Sequence, residues 1–174
     1  NQIISKKRLE SLQTSKESSE LLNSALNPFL IEVGREFPHY LIDNLMLQSE
    51  LAKKAWSLNK ATILRGNKII KNKGGKLILN IFPRSVQINR SNFEFFESLN
   101  IKVSDEFLST SVPQDLFAAF CVKNNLTCFD CLPYFKKRGD EHLYIEKDDH
   151  WNAEGNRYAF ASLWASWQEA GIFN

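Results

Sequence analysis

The segment Asp148-Asp149-His150-Trp151-Asn152-Ala153-Glu154-Gly155 sets a histidine beside two carboxylates, just ahead of a helical pattern. Asn152 is of the type that caps a helix, its side-chain oxygen accepting a backbone N–H of the first turn. His150 then stands at the positive end of that helix, which disfavours an imidazolium. A neutral imidazole is the form a general base needs near neutral pH. A carboxylate close by in sequence can accept the other ring N–H, fix the tautomer and stabilise the cation formed during reaction. Asp148, two residues before the histidine, suits that role better than Asp149, whose adjacency makes the same ring edge hard to face; Asp149 stays the alternative. Gly155, in the first helical turn, predicts close approach of another stretch of backbone. The expected catalytic residues are thus His150 and Asp148. The same residues also suit plain helix capping, or, with Asp149, a divalent cation. No second ligand cluster accompanies them, so neither a metal nor a cofactor is expected. His39 and His142 stand alone in loops and carry no such pattern.

Cys128 and Cys131 have CxxC spacing, with Cys121 as the third cysteine. No second CxxC or HxxxH completes a zinc site, and an odd count does not make a disulfide framework. The expectation is three buried or half-buried structural thiols.

The chain has 174 residues and a net charge of +2, enough for one domain and too balanced for a dedicated nucleic-acid binder. No apolar run approaches the roughly 20 residues of a membrane span. The start shows no secretory signal. It is Asn1 rather than Met, which predicts a piece of a longer protein.

The elements that must position the histidine follow from periodicity. Residues 1–47 read as a peripheral helix and loops outside the core, with a thin stripe at Leu9, Leu12, Leu21, Leu22 and Leu26. Residues 48–174 form the second unit. Gln48 to Lys73 is a long amphipathic helix. At roughly 100° per residue, Leu51, Ala55, Leu58, Thr62 and Ile69 share a side expected to face inward, widened by Trp56, Ile63 and Ile70. Lys53, Lys60, Lys68 and Lys71 gather opposite, a solvated face that leaves contact with an anionic membrane surface open. Gly74-Gly75 stops the helix. KLILNIF, residues 76–82, reads as a buried strand in which Asn80 needs a partner. A helix over about 113–125 follows, with Ser111 and Gln114 as a capping box. A second strand spans 126–130, and a last helix about 153–170, with Tyr158, Ala161, Leu163 and Ala165 inward. Strands separated by helices imply parallel neighbours in an α/β fold. Two strands are few for such a sheet, which predicts that others lie upstream.

Asp148, His150, Trp151, Asn152 and Gly155 match D-x-H-W-N-x-x-G, and in this the chain resembles the C-terminal block of the SGNH (GDSL-like) hydrolase superfamily. The likeness extends upstream through the long helix, the Gly-Gly pair, KLILNIFP, the following helix, the strand ending at Asp130 and the Pro133-Tyr134-Phe135 turn, covering about 48–172. It implies a flavodoxin-like three-layer α/β/α fold with a parallel sheet, incomplete here at its N-terminal side. It further implies a serine-dependent ester hydrolase or acyltransferase acting on small-molecule or carbohydrate esters. In that family the nucleophile lies in a Gly-Asp-Ser block and the oxyanion hole uses a glycine and an asparagine; this sequence has neither Gly-Asp-Ser nor Gly-x-Asn-Asp. Ser85 and Ser91 lack the strand–turn–helix glycine setting of a nucleophile. The commoner spacing puts the acid three residues before the histidine, where Lys147 stands; Asp148 fits the shorter variant. Only Asp148 and His150 carry over, and the nucleophile is expected upstream of the chain. The alternative is a non-catalytic binding module of the same fold.

Overall fold

The computed structural model describes residues 28–139 and 142–172. The leucine stripe of residues 1–26 falls outside them. The described helices are α1 (Pro28–Glu36), α2 (Tyr40–Met46), α3 (Glu50–Asn72), α4 (Phe93–Ser98), α5 (Val112–Lys123), α6 (Leu132–Lys136) and α7 (Ala153–Glu169). Strand β1 (Ile78–Ile81) lies between α3 and α4, and β2 (Thr127–Asp130) between α5 and α6. The two strands pair in parallel, Ile78 opposite Thr127 and Ile81 opposite Asp130. The chain is therefore mixed α/β with a parallel sheet, as the helical crossover between the strands requires.

α3 starts and stops where its sequence dictates. Ser49 caps it by accepting the Ala52 N–H at 3.1 Å, and Gly74 turns the chain away at φ +76°, a conformation glycine takes without strain. α7 is capped by Asn152, whose Oδ1 accepts the Gly155 N–H at 2.8 Å.

Several expectations change. The segment 28–47 enters the core: Leu30, Val33, Leu41 and Leu45 are buried with Val86, Phe93, Phe96, Ile101 and Phe107. α1 and α2 are too short to be stable alone, and burying apolar faces against α4 and its flanking turns is what holds them. α3 is rotated from its expected setting. Trp56 and Ile63 pack against the Phe117, Phe120 and Cys121 cluster of α5, while Leu51, Leu58 and Ile69 remain exposed. Aromatic and β-branched side chains on that flank fill the space over the sheet, and the leucine side is left outward. The Ser111–Gln114 capping box does not form. Ser111 donates to Asp115, and Gln114 is buried against Gln87 instead. In α7 the buried positions are Gly155, Ala159, Ser162 and Ser166; Tyr158 and Leu163 pack against the core as expected, whereas Ala165 is half-buried and Ala161 is exposed. Small residues on that face allow α7 to lie close to the body. Both strands are half-buried throughout, because a two-stranded sheet has no central strand to cover. Finally, Cys121 and Cys128 form a disulfide, leaving Cys131 as the free, buried thiol. The turn from α5 into β2 brings the first two cysteines together, which spacing in a line of sequence does not reveal.

Candidate active site

The histidine rides on a loop between α6 and α7 that folds back on itself. Tyr144 and Trp151 form an antiparallel bridge, the Ile145 N–H donates to the His150 carbonyl at 2.9 Å, and the Asn152 N–H donates to the Leu143 carbonyl at 3.1 Å. Asn152 joins loop and helix. Its Oδ1 caps α7 while its Nδ2 donates to the His142 and Tyr144 carbonyls. Gly155 makes the junction possible: a Cβ there would sit 2.0 Å from the Leu143 carbonyl oxygen. The backbone approach expected at this glycine is present, and no side chain fits.

Within this loop the Asp148 carboxylate does two things with one oxygen. Oδ1 accepts the Asp149 N–H at 2.6 Å and lies 2.8 Å from His150 Nδ1. The carboxylate is thus oriented by backbone before it meets the ring. The Asp148 side chain is 23% exposed and that of His150 is 73% exposed, so the ring is held at one nitrogen and open at the other. Among the described residues Nε2 has no hydrogen-bond partner.

Asp149 faces a different way. It pairs with the Arg84 guanidinium and accepts from Ser85 Oγ at 2.9 Å. Arg84 also donates to the Tyr40 hydroxyl at 2.6 Å and lies over the Tyr40 ring. Burial works to lower the Arg84 pKa, but Asp149 and Tyr40 outweigh it and hold it above its ordinary value. The Arg84 N–H donates to Gln87 Oε1, and Gln87 is fully buried and bonded to Gln114 and the Thr110 carbonyl. Tyr144 adds a second tie, donating to the Pro83 carbonyl at 2.9 Å, and burial pushes its phenol well up. The loop is therefore fastened twice to the segment that follows β1.

Around His150 lies an open cleft of about 590 Å³, lined by Tyr40, Phe82, Arg84, Asp148, Trp151 and Asn156 among others. It sits just past the C-terminal end of β1, where open α/β sheets place ligands. Phe82 meets Trp151 edge to face at 4.6 Å between centroids, giving the cleft an aromatic wall. No serine lines it among the described residues. Ser85, the nearest in sequence to the strand end, is fully buried with its hydroxyl donated to Asp149. Asp148, Asp149 and His150 do not converge, and among the described residues no group of acidic, histidine or cysteine side chains is arranged to hold a metal ion.

The sequence reading found Asp148, His150, Asn152 and Gly155. It missed Arg84, Tyr40 and Gln87, which reach the loop only through tertiary packing. The one available signal was Pro83-Arg84 directly after a strand, the position from which a loop side chain enters a strand-end cleft. Compared with family models, curated proteins and solved structures, the chain finds no match in any of the three.

Proposed function

We propose that this chain is the histidine-bearing part of an SGNH-like serine ester hydrolase or acyltransferase with a flavodoxin-like fold, its nucleophile supplied by polypeptide upstream. The observation that carries the reading is the 2.8 Å contact between Asp148 Oδ1 and His150 Nδ1, with the other ring nitrogen open to a strand-end cleft. That is the division of labour a base needs: one nitrogen held by an acceptor, the other left to take a proton from a serine hydroxyl and return it to the leaving group. The aromatic wall of Phe82 and Trp151 suits the apolar face of a sugar ring or an acyl chain, in keeping with a small-molecule or carbohydrate ester.

The sheet gives separate support for polypeptide upstream. Parallel sheets are rarely this small, and Asn80 Oδ1 on β1 is buried without a hydrogen-bond partner among the described residues. A further strand or its flanking residues would satisfy that acceptor.

The second reading, a binding module that has no nucleophile, is favoured by the lack of a serine in the cleft among the described residues. A fluorophosphonate probe on the complete polypeptide separates the two. The esterase reading expects labelling of a serine outside these 174 residues, and loss of short-chain aryl ester turnover in His150→Ala. A folded, unlabelled protein identifies the binding module. Turnover by the isolated chain, abolished by the probe, would place the nucleophile among its own serines and overturn the reading.

A further inference from the structure

Passing a proton to His150 is half of an acyl transfer. As the serine oxygen attacks the ester, the carbonyl π pair moves onto the carbonyl oxygen and the serine proton goes to His150 Nε2. On collapse the pair returns, the ester C–O bond breaks and the leaving oxygen takes that proton. The oxygen that turns negative in between must meet hydrogen-bond donors already in place. Most polar side chains lining the cleft cannot serve. Asp148 and Asp149, as carboxylates, only accept. His150 is committed to Asp148 at Nδ1 and to the proton at Nε2. Asn156 turns its Nδ2 back to the Trp151 and Asn152 carbonyls. The Trp151 ring packs into the wall with Phe82 and Phe135. Arg84 and Tyr40 remain.

Tyr40 opens α2, and its side chain packs against the buried cluster that includes Leu41. Arg84 donates from Nη2 to the Tyr40 hydroxyl oxygen at 2.6 Å, with its guanidinium carbon 5.1 Å from the ring centroid. Asp149 holds Arg84 at Nη1. The phenol oxygen is therefore occupied as an acceptor, and among the described residues its own O–H has no acceptor. An oxygen that lends a lone pair to a cation becomes a stronger donor through its hydrogen. Fixed at both ring and oxygen, this hydroxyl has little freedom left to lose when a substrate arrives.

We infer that the Tyr40 hydroxyl, backed by Arg84, donates to the ester carbonyl oxygen as it becomes the oxyanion, beside the donors that the nucleophile's own segment brings. The inference rests on the serine-ester reading above. A donor in the field of a guanidinium gains most when negative charge appears, so its contribution falls on the transition state more than on the bound ester. Charge also selects the substrate. The cleft lining sets two carboxylates, Asp148 and Asp149, against one guanidinium. A neutral ester suits that balance, and an ester with a carboxylate beside the scissile bond does not.

The test is Tyr40→Phe in the complete polypeptide, which keeps the ring and removes only the hydroxyl. With a neutral short-chain aryl ester, kcat should fall about 10²–10³-fold, the effect of losing one such donor, while KM stays within about twofold. Affinity for phenylboronic acid, which forms a tetrahedral adduct on the serine, should weaken by a comparable factor. The urea midpoint should not move. An unchanged kcat, or a raised KM at unchanged kcat, overturns the inference. So does a boronate affinity that does not follow kcat, or a fall in kcat that comes with a lowered urea midpoint. Normal turnover in Tyr40→Phe beside lost turnover in His150→Ala means that the donor assignment alone has failed. An unsubstituted polypeptide that neither turns over the ester nor takes the fluorophosphonate probe means that the ester reading has failed, and the donor assignment with it.

Discussion

Asp149 and Arg84 form a largely buried ion pair that fastens the histidine loop to the end of β1, and so leaves Asp148 as the carboxylate beside His150. The two adjacent aspartates are divided by backbone direction, one anchoring the loop and the other orienting the ring.

Replacing Asp149 by Ala should destabilise the fold by about 1–3 kcal/mol, because the Arg84 cation and the buried Ser85 hydroxyl both lose their acceptor. Urea denaturation of the isolated chain measures this. Asp149→Ala combined with Arg84→Met should recover part of the loss, since the stranded charge is then gone. A double variant less stable than the sum of the singles would show that the pair is not the anchor.

Replacing Asp148 by Asn should leave stability nearly unchanged but lower turnover of the complete polypeptide by about 10³–10⁴-fold, because the amide holds the wrong imidazole tautomer. Steady-state kinetics on an aryl ester is the measurement. Near-normal turnover would remove Asp148 from the reaction.

Gly155→Ala should cost about 2–4 kcal/mol, since the new Cβ meets the Leu143 backbone oxygen rather than a side chain that can move. The thermal midpoint should fall accordingly. An unchanged midpoint would mean that the loop does not lie against α7 as described.

The cysteines give two linked outcomes. Thiol titration under denaturing conditions should find Cys131 alone reactive, and reduction of the Cys121–Cys128 bridge should lower stability by about 2 kcal/mol for so short a loop. In the folded chain burial, then the nearby Asp130 charge, pushes the Cys131 thiol up to about 12 from 9.0. Above pH 9 the unfolded chain releases a proton that the folded chain keeps, so stability falls as pH rises from about 9 towards 12. Cys131→Ala should flatten that fall in a pH series of unfolding midpoints, and an equally steep fall in the variant would assign it elsewhere.

The sequence by itself determined the local features. The Ser49 and Asn152 caps, the glycine stop after α3, the need for glycine at 155 and the Asp148–His150 contact all act within a few residues, where backbone geometry leaves little choice. The parallel pairing of β1 with β2 was also legible, because a helical crossover between two short apolar runs admits no tight hairpin. What only the tertiary structure decided depends on partners distant in the chain. α3 has apolar residues around much more than half its circumference, so periodicity alone could not say which side packs; Phe117 and Phe120 on α5 select Trp56 and Ile63 and leave Leu51 and Leu58 outward. Gln114 reads as a helix cap until Gln87 offers it a buried partner. Cys121 meets Cys128 rather than Cys131 because a helix-to-strand turn folds them together. Asp149 turns from the histidine because Arg84, 65 residues away in sequence, arrives beside it with a charge that burial makes costly to leave alone.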